Sequence, residues 1–161
     1  MQSFFKRRLP KPTAIAVVLA GVGGALAIAV LLALGKALSL MLVIAPFGAS
    51  CVLLFALPSA PLSQPANVVG GHLVAALAGL ILLSLLPDPW WTPAIAVGLA
   101  ISAMAALRVT HPPAGANPLV IFLLEPNWLF LLAPVLLGTI CLVAVAVLYH
   151  RYTGNTYPNS D

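Results

Sequence analysis

The segment RVTHPPAGANP, residues 108–118, places polar and helix-breaking residues inside an otherwise apolar chain. Arg108 and His111 are three positions apart, so a helical backbone would bring them to one face, where they can act together on an anion. The imidazole of His111 also titrates near neutral pH, which suits proton coupling. Two plainer roles stay open. Arg108 can extend to the lipid headgroups, and His111 can be a hydrogen-bonded polar group at the break before its proline pair.

A second polar segment, SQPANVVGGH, leads into an apolar run. The side chains of Gln64 and Asn67 can cap broken helix ends there, and His72 follows on the helix. Gly71 permits another backbone to approach closely. The alternative is an ordinary loop between two membrane spans.

Two segments with matching proline, glycine and alanine positions, PFGASCVLLF from Pro46 and PAGANPLVIF from Pro113, indicate an internal repeat. Proline breaks a helix from within but suits its first turn, so each of these prolines is expected to begin a half-helix inside the membrane. The amides that follow lack partners and favour an anion. Chance similarity and simple proline kinks are the competing interpretations. The predicted binding residues at these helix starts are Gly48, Ala49, Ser50, Gly115, Ala116 and Asn117.

The elements that must position these residues are membrane helices. The chain is 62% hydrophobic and 6% charged over 161 residues, whereas a soluble domain carries about 25% charged residues. Its mean hydropathy of +1.12 agrees with an integral membrane protein. Apolar runs of span length occur at 13–34, 39–57, 68–86, 91–107 and 128–149, with a shorter run at 113–124.

The distribution of charge predicts a cytoplasmic N-terminus. Four basic residues precede the first span, and Lys36 follows it. If the short apolar run 113–124 crosses the membrane, Asp88 and Glu125 lie outside, and six of the seven Lys and Arg residues lie inside. If that run only re-enters, His150 and Arg151 end outside, which fits the charge rule less well.

The predicted organisation is a basic cytoplasmic tail at 1–12, one transmembrane domain at 13–150 and a disordered tail at 151–161. Within the domain, repeats at 13–86 and 91–150 hold three elements each. Because three is an odd number of passes, the second repeat is expected to be inverted relative to the first. The fold class is therefore an all-α membrane protein of about six transmembrane or partly re-entrant helices, two of them broken by proline.

Several kinds of chemistry are not indicated. The sequence shows no catalytic trio, no paired carboxylates and no nucleotide fingerprint, so we predict no enzyme activity and no cofactor. Cys51 and Cys141 have no metal-ligand spacing and are interpreted as packing residues. The basic N-terminus is interpreted as a topological signal, so no nucleic-acid partner is expected. Membrane lipid and a homo-oligomer are the expected partners, since a bundle of 16.6 kDa is small. Rows of small residues are interpreted as helix packing.

The motifs resemble those of the HPP family of small integral membrane proteins. The matching pieces are PFGASCVLLFALPSAPLSQPANVVGGHLVAAL, HPPAGANPLVIFL and APVLLG, which together cover about residues 45–148. Some members of that family are implicated in nitrite transport, which is what the resemblance implies here. Two departures concern the anion: Ala66 stands where an arginine is common, and Asn117 stands where threonine is usual.

The sequence thus predicts a transporter or channel for a small inorganic anion, nitrite first, in a bacterial inner membrane. The predicted substrate-binding residues are the six at the helix starts together with Gln64, Asn67, Gly71, His72, Arg108, His111 and Pro113. The alternative is a non-transporting membrane scaffold or regulatory subunit. An intramembrane enzyme is a third and weaker alternative.

Overall fold

Six α-helices make up most of the part of the chain that the structure, a computed structural model, describes: residues 6–7, 9–87 and 90–159. No strand occurs within these residues, in agreement with the predicted all-α class. Asp88 and Arg8 lie outside them. The helices are α1 (Ala14–Leu38), α2 (Ala45–Ala56), α3 (Pro65–Leu85), α4 (Thr92–Ala106), α5 (Asn117–Leu124) and α6 (Leu137–Thr153).

Three segments are long and apolar enough to cross a membrane: Ala14–Leu38, Pro65–Leu85 and Trp128–Thr153. The 25 residues of α1 measure about 38 Å at 1.5 Å per residue, which exceeds a hydrocarbon core of about 30 Å. The third segment enters α6 through a 3₁₀ turn and a single π turn, and Ala133 within the π turn has non-helical backbone angles. The other apolar helices are shorter.

The run 39–57, predicted as one span, is instead an extended stretch followed by a short helix. Ser39 ends α1 in the left-handed conformation, with φ of 54°. The chain stays non-helical through Ile44, and α2 then begins with Pro46 in its first turn. The 12 residues of α2 reach about 18 Å, so the extended stretch must supply the rest of any crossing.

Glycines on neighbouring helices enclose this extended stretch. A Cβ added to Gly35 of α1 would lie 2.7 Å from the carbonyl oxygen of Leu40, and one added to Gly138 of α6 would lie 2.9 Å from that of Leu42. Non-helical backbone at membrane depth is tolerated only where protein buries it. The two glycines allow α1 and α6 to approach closely enough to do so.

The second break, between α4 and α5, is enclosed in the same way. Arg108 has a φ of 60°, and the chain passes through a 3₁₀ turn, Pro112–Ala116, before α5 begins. A Cβ added to Gly71 of α3 would lie 2.8 Å from the carbonyl oxygen of Val109 and 2.7 Å from the Cβ of His111. The predicted close approach at Gly71 is therefore an approach of α3 to the broken segment.

Two groups of buried apolar side chains hold the bundle together. The larger joins α1, α2, α3, α5 and α6 and contains fully buried Phe47, Leu54 and Leu142. The smaller lies between α3 and α4 and is made mostly of alanines around Met104. Small residues predominate at the second interface, where helices pack closely in lipid.

The predicted disordered tail at 151–161 is wrong over the residues that the structure describes. The helix α6 continues to Thr153 and ends at Gly154, which has a φ of 76°. Tyr157 is buried, and its hydroxyl donates a hydrogen bond of 2.9 Å to the carbonyl oxygen of Ser63. The ring of Tyr157 packs in the larger apolar cluster, a contact that the otherwise polar composition of the tail does not indicate.

The enclosing glycines give a stability prediction. Gly71→Ala and Gly138→Ala each press a methyl group against backbone, so each should lower the free energy of unfolding by about 1–3 kcal/mol. Gly98→Ala on α4 is the matched control, because nothing lies within 4 Å of its added Cβ. Thermal unfolding in detergent, followed by circular dichroism, measures the difference. Three variants of equal stability would contradict the enclosure.

Candidate functional site

Four polar side chains meet at the point where the two broken segments face each other. Ser50 comes from α2, His72 from α3, His111 from the end of the α4–α5 break and Asn117 from the first residue of α5. All four are 0% exposed. We call these residues the central polar cluster.

Hydrogen bonds join the four residues into one chain. The Oγ of Ser50 lies 2.9 Å from the Nε2 of His72 and 2.9 Å from the Nε2 of His111. The Nδ1 of His72 lies 3.1 Å from the Oδ1 of Asn117, whose Nδ2 donates to the carbonyl oxygen of His72 at 3.0 Å. The edge of Phe47 packs against the His72 ring, with ring centroids 5.2 Å apart.

The local sequence explains why His111 joins this chain of hydrogen bonds. Pro112 pushes the preceding residue out of helical geometry, and His111 is extended, with φ of −135° and ψ of 104°. Its Nδ1 lies 2.8 Å from the carbonyl oxygen of Leu62. Asn67 supports the same segment, because its Nδ2 donates to the carbonyl oxygen of Thr110 at 2.9 Å.

The cluster is tolerable in an apolar bundle because its groups are paired. A buried polar group without a partner costs about 1–3 kcal/mol. Among the described residues, no buried side-chain nitrogen or oxygen lacks a hydrogen-bond partner. The four residues therefore fix how α2, α3 and α5 sit against one another.

The structure brings together four of the predicted site residues and places others beside them. Asn67 and Gly71 contact the segment that carries His111, and Pro113 is buried next to it. Gly115 and Ala116 are half-buried. Gln64 lies apart, donating to the carbonyl oxygens of Pro58 and Ala60 after the end of α2.

The predicted partnership of Arg108 with His111 is wrong. The expectation required a helical turn, but α4 ends at Ala106 and the chain reverses through the left-handed Arg108. As a result Arg108 is exposed while His111 is fully buried.

Side chains, more than backbone amides, meet at the centre. The first amide after each proline is already bonded, since Phe47 N–H donates to the Ile44 carbonyl and Ala114 N–H donates to the His111 carbonyl. Gly48 and Ala49 are exposed. Gly48 lines a shallow groove of about 440 Å³ beside α1, on the far side from the cluster.

Three functional candidates escaped the sequence analysis. His150 is 1% exposed and its Nε2 lies 2.8 Å from the carbonyl oxygen of Leu54. Ser63 and Thr139 are fully buried and bond to nearby carbonyl oxygens. A histidine in the last turn of an apolar helix was a signal that could have been read, because intramembrane ionisable residues are costly.

Residues 154–159 form a strap over the loop between α2 and α3. Besides the bond from Tyr157 to Ser63, the backbone N–H of Asn159 donates to the Oε1 of Gln64 at 2.9 Å, and its Nδ2 donates to the carbonyl oxygen of Ser59. Burial raises the pKa of the Tyr157 hydroxyl, so this donor stays protonated near neutral pH. The strap thus holds the loop whose Leu62 carbonyl binds His111.

The described residues contain no group of three or more His, Cys, Asp or Glu side chains that could hold a metal ion. The two histidines of the cluster have both ring nitrogens occupied by protein partners. The arrangement suits transfer of protons and binding of small polar solutes more than metal chemistry.

Removing the amide of Asn117 tests the cohesion of the cluster. Asn117→Leu leaves the Nδ1 of His72 without a partner and removes the second bond to its carbonyl oxygen, so the free energy of unfolding should fall by about 1–3 kcal/mol. Asn117→Thr keeps one hydroxyl and should lose less. Thermal unfolding in detergent compares them, and a leucine variant as stable as the natural protein would contradict the paired arrangement.

The strap gives a second expectation. Tyr157→Phe removes the donor to Ser63 and should speed amide hydrogen exchange in the α2–α3 loop, with a loss of about 0.5–1.5 kcal/mol. Tyr152→Phe is the matched control, since Tyr152 is 89% exposed. Hydrogen exchange followed by mass spectrometry makes the measurement. Equal exchange in both variants would show that the strap does not restrain the loop.

Comparison with known proteins places this fold in a family. The HPP transmembrane-region family matches residues 9–158. Two curated transmembrane proteins of Dictyostelium discoideum are similar: one is 35% identical over 114 residues, covering 66% of this chain and 37% of the relative. The other is 30% identical over 128 residues, covering 74% and 45%. The chain therefore spans less than half the length of either relative.

No solved structure matches the chain. The family match extends over nearly all of the sequence and includes every residue of the central polar cluster, so the resemblance indicated by the motifs is confirmed. On this evidence the chain is a membrane protein of the HPP transmembrane family.

Proposed function

We propose that this protein carries a small inorganic anion, with nitrite the first candidate, across the membrane through the central polar cluster. One observation carries the proposal: four fully buried, mutually bonded polar side chains lie where two broken helices meet, in a chain that is 62% hydrophobic. Polar and ionisable residues within a membrane are expensive and by default mark a solute pathway.

The arrangement of elements supports an internal repeat. A shift of 67 positions carries Pro46 onto Pro113. The same shift carries the first residue of α2, Ala45, onto Pro112, the first residue of the 3₁₀ turn before α5. It also carries the first residue of α3 onto Leu132, where the π turn before α6 begins.

Reciprocal contacts support the repeat further. The shift of 67 positions carries Gly71 onto Gly138 and Leu42 onto Val109. Gly71 packs on the carbonyl of Val109, and Gly138 packs on that of Leu42. Each half of the chain thus supplies the glycine that encloses the break in the other half, as a two-fold relation requires.

The solute site lies between these halves. Ser50 and Asn117 occupy equivalent positions in the repeat, and they bond to opposite nitrogens of the His72 ring. Repeats of three elements are inverted, and inverted repeats in transporters place the site at their interface near the midplane. The cluster is closed in this structure, so passage proceeds by movement of one half against the other.

The chemistry of the cluster favours a small anion with hydrogen-bond acceptors. Imidazole, amide and hydroxyl groups, each able to donate a hydrogen bond, lie together there, and the described residues put no carboxylate against them. Stripping an ion of water costs tens of kcal/mol by Born estimates. Helix ends supply up to about 2 kcal/mol each, so side-chain donors, a proton or retained water must supply the remainder. Nitrite itself comes from the family resemblance.

A second candidate function is that of a non-transporting membrane subunit. The groove between α1 and α2 favours it, since exposed Gly21 and Gly48 and half-buried Gly24 line this surface and leave room for another helix. A homo-oligomer would use the same surface.

The proposal keeps the N-terminus cytoplasmic and the protein in a bacterial inner membrane, following the charge distribution.

Uptake into liposomes tests the proposal. Purified protein reconstituted into liposomes should raise nitrite uptake above that of protein-free liposomes. His72→Ala should reduce the rate at least tenfold, since both Ser50 and Asn117 lose their common partner. Ser102→Ala, an exposed serine on α4, is the matched control and should leave uptake unchanged. A panel of nitrite, nitrate, formate and chloride defines the preferred anion.

Folded, monodisperse protein that moves none of these anions would overturn the transport proposal and favour the subunit. Full uptake by the His72 variant would keep transport but remove the central polar cluster from its path.

A further inference from the structure

The Nδ1 atoms of His72 and His111 point away from Ser50, and their hydrogen-bond partners determine whether each carries a hydrogen. The Nδ1 of His111 faces the carbonyl oxygen of Leu62, which only accepts, so that nitrogen carries a hydrogen. The Nδ1 of His72 faces the Oδ1 of Asn117. The amide orientation of Asn117 is itself set by its Nδ2, which donates to the carbonyl of His72. Both imidazoles are therefore protonated on Nδ1.

The two Nε2 atoms compete for the single hydroxyl hydrogen of Ser50. A neutral imidazole protonated on Nδ1 offers Nε2 only as an acceptor. Both Nε2 atoms lie 2.9 Å from the Oγ of Ser50, which carries one hydrogen. The carbonyl oxygen of Pro46, 3.3 Å away, is a third acceptor for it. When both histidines are neutral, at least one of these close contacts joins two lone pairs.

We propose that the central polar cluster is a binding site for one excess proton, held between His72 and His111 through Ser50. With a proton on one Nε2, that nitrogen donates to the serine oxygen, and the serine hydroxyl donates to the other Nε2. Each of the two contacts between an Nε2 and the Oγ of Ser50 then has one hydrogen. One proton completes these two contacts, and a second would place two positively charged rings, with centroids 5.1 Å apart, in one buried site.

The same geometry passes the proton between the two halves of the molecule. The hydrogen on the Nε2 of His72 moves to the Oγ of Ser50 as the serine hydrogen moves to the Nε2 of His111. The N–H bond of one ring breaks and that of the other forms, while the serine ends neutral. The positive charge has then moved from α3 in the first repeat to the break in the second.

Groups on the surrounding elements leave this charge unbalanced. On α2 the neighbouring titratable group is Cys51, a thiol. The α4–α5 break carries Arg108, which is exposed, and α5 ends at Glu125, also exposed. On α6, His150 bonds to Leu54 instead, and Cys141 is half-buried. In the part of the chain described, only His72 and His111 titrate within the cluster.

A buried charge without a partner is strongly unfavourable. An anion that enters with the proton neutralises it, so the site couples one proton to one monovalent anion. This coupling, unlike the proton site itself, rests on the proposed function. Transport would then carry no net charge.

Nuclear magnetic resonance of protein labelled with ¹⁵N-histidine counts the proton directly. The purified chain in detergent is titrated from pH 8 to pH 4.5, with and without nitrite. The expected result is uptake of one proton by His72 and His111 together, with both Nε2 signals moving in parallel, and an earlier onset when nitrite is present. Two neutral imidazoles throughout, or two independent protonations, would overturn the proposal.

Variants of Ser50 separate the relay from packing. Ser50→Thr keeps the hydroxyl and should retain the parallel movement, whereas Ser50→Ala should abolish it and leave two independent signals. Ser84→Ala on α3 is the control, because Ser84 bonds only to the Leu80 carbonyl. Parallel titration in Ser50→Ala would also overturn the relay.

Uptake in liposomes separates this inference from the proposed function. If the proton count holds and no anion moves, the proton site stands and the transport proposal fails. If nitrite moves at a rate that a tenfold proton gradient does not change, and the pair takes up no proton, transport stands and the proton site fails.

Discussion

A hydrocarbon surround offers no water to a broken helix, and this constraint governs the whole molecule. Within this apolar bundle the helices are interrupted between α1 and α2 and between α4 and α5. Each break exposes carbonyl and amide groups that only protein can satisfy. The bundle answers with helices brought close by glycine and with polar side chains directed at the freed groups, such as Asn67 toward Thr110. Close packing at glycines and hydrogen bonds from polar side chains therefore stabilise the breaks together.

The solution is shared across the molecule. A glycine from α3 encloses the second break, and a glycine from α6 encloses the first. Each half relies on a glycine of the other to bury its irregular backbone, and Gly35 of α1 adds to the enclosure of the first break. The central polar cluster lies on the seam between them, drawing Ser50 from α2 and Asn117 from α5. A small relative movement of the halves would change the distances of several hydrogen bonds at once.

Much of the fold was legible in the sequence because lipid imposes simple rules. Apolar runs gave the helices, prolines gave the starts of α2 and of the turn before α5, and the paired motifs located both breaks. Of the cluster, Ser50, His72, His111 and Asn117 were all predicted, since polar residues in so apolar a chain require a reason.

The direction in which individual side chains point could not be predicted from the sequence. Whether Gly48 or Ser50 faces the centre depends on the rotation of α2, which packing against α1 and α6 decides. The predicted partnership of Arg108 with His111 failed because the left-handed turn at Arg108 depends on contacts with α3. The order of residues 154–159 depends on Tyr157 finding Ser63, a contact 94 positions away. Periodicity carries no information about such distant partners.

The strap at residues 154–159 also sets an order for assembly. Ser63 in the loop between α2 and α3 is synthesised 94 residues before Tyr157, its partner in the strap. At about 5–20 residues per second, roughly 5–20 s of synthesis separate the two. Throughout that interval, the loop whose Leu62 carbonyl oxygen bonds to His111 lacks its hydrogen bonds to the strap. The hydrogen bond from Tyr157 to this loop therefore forms only after Tyr157 has been synthesised.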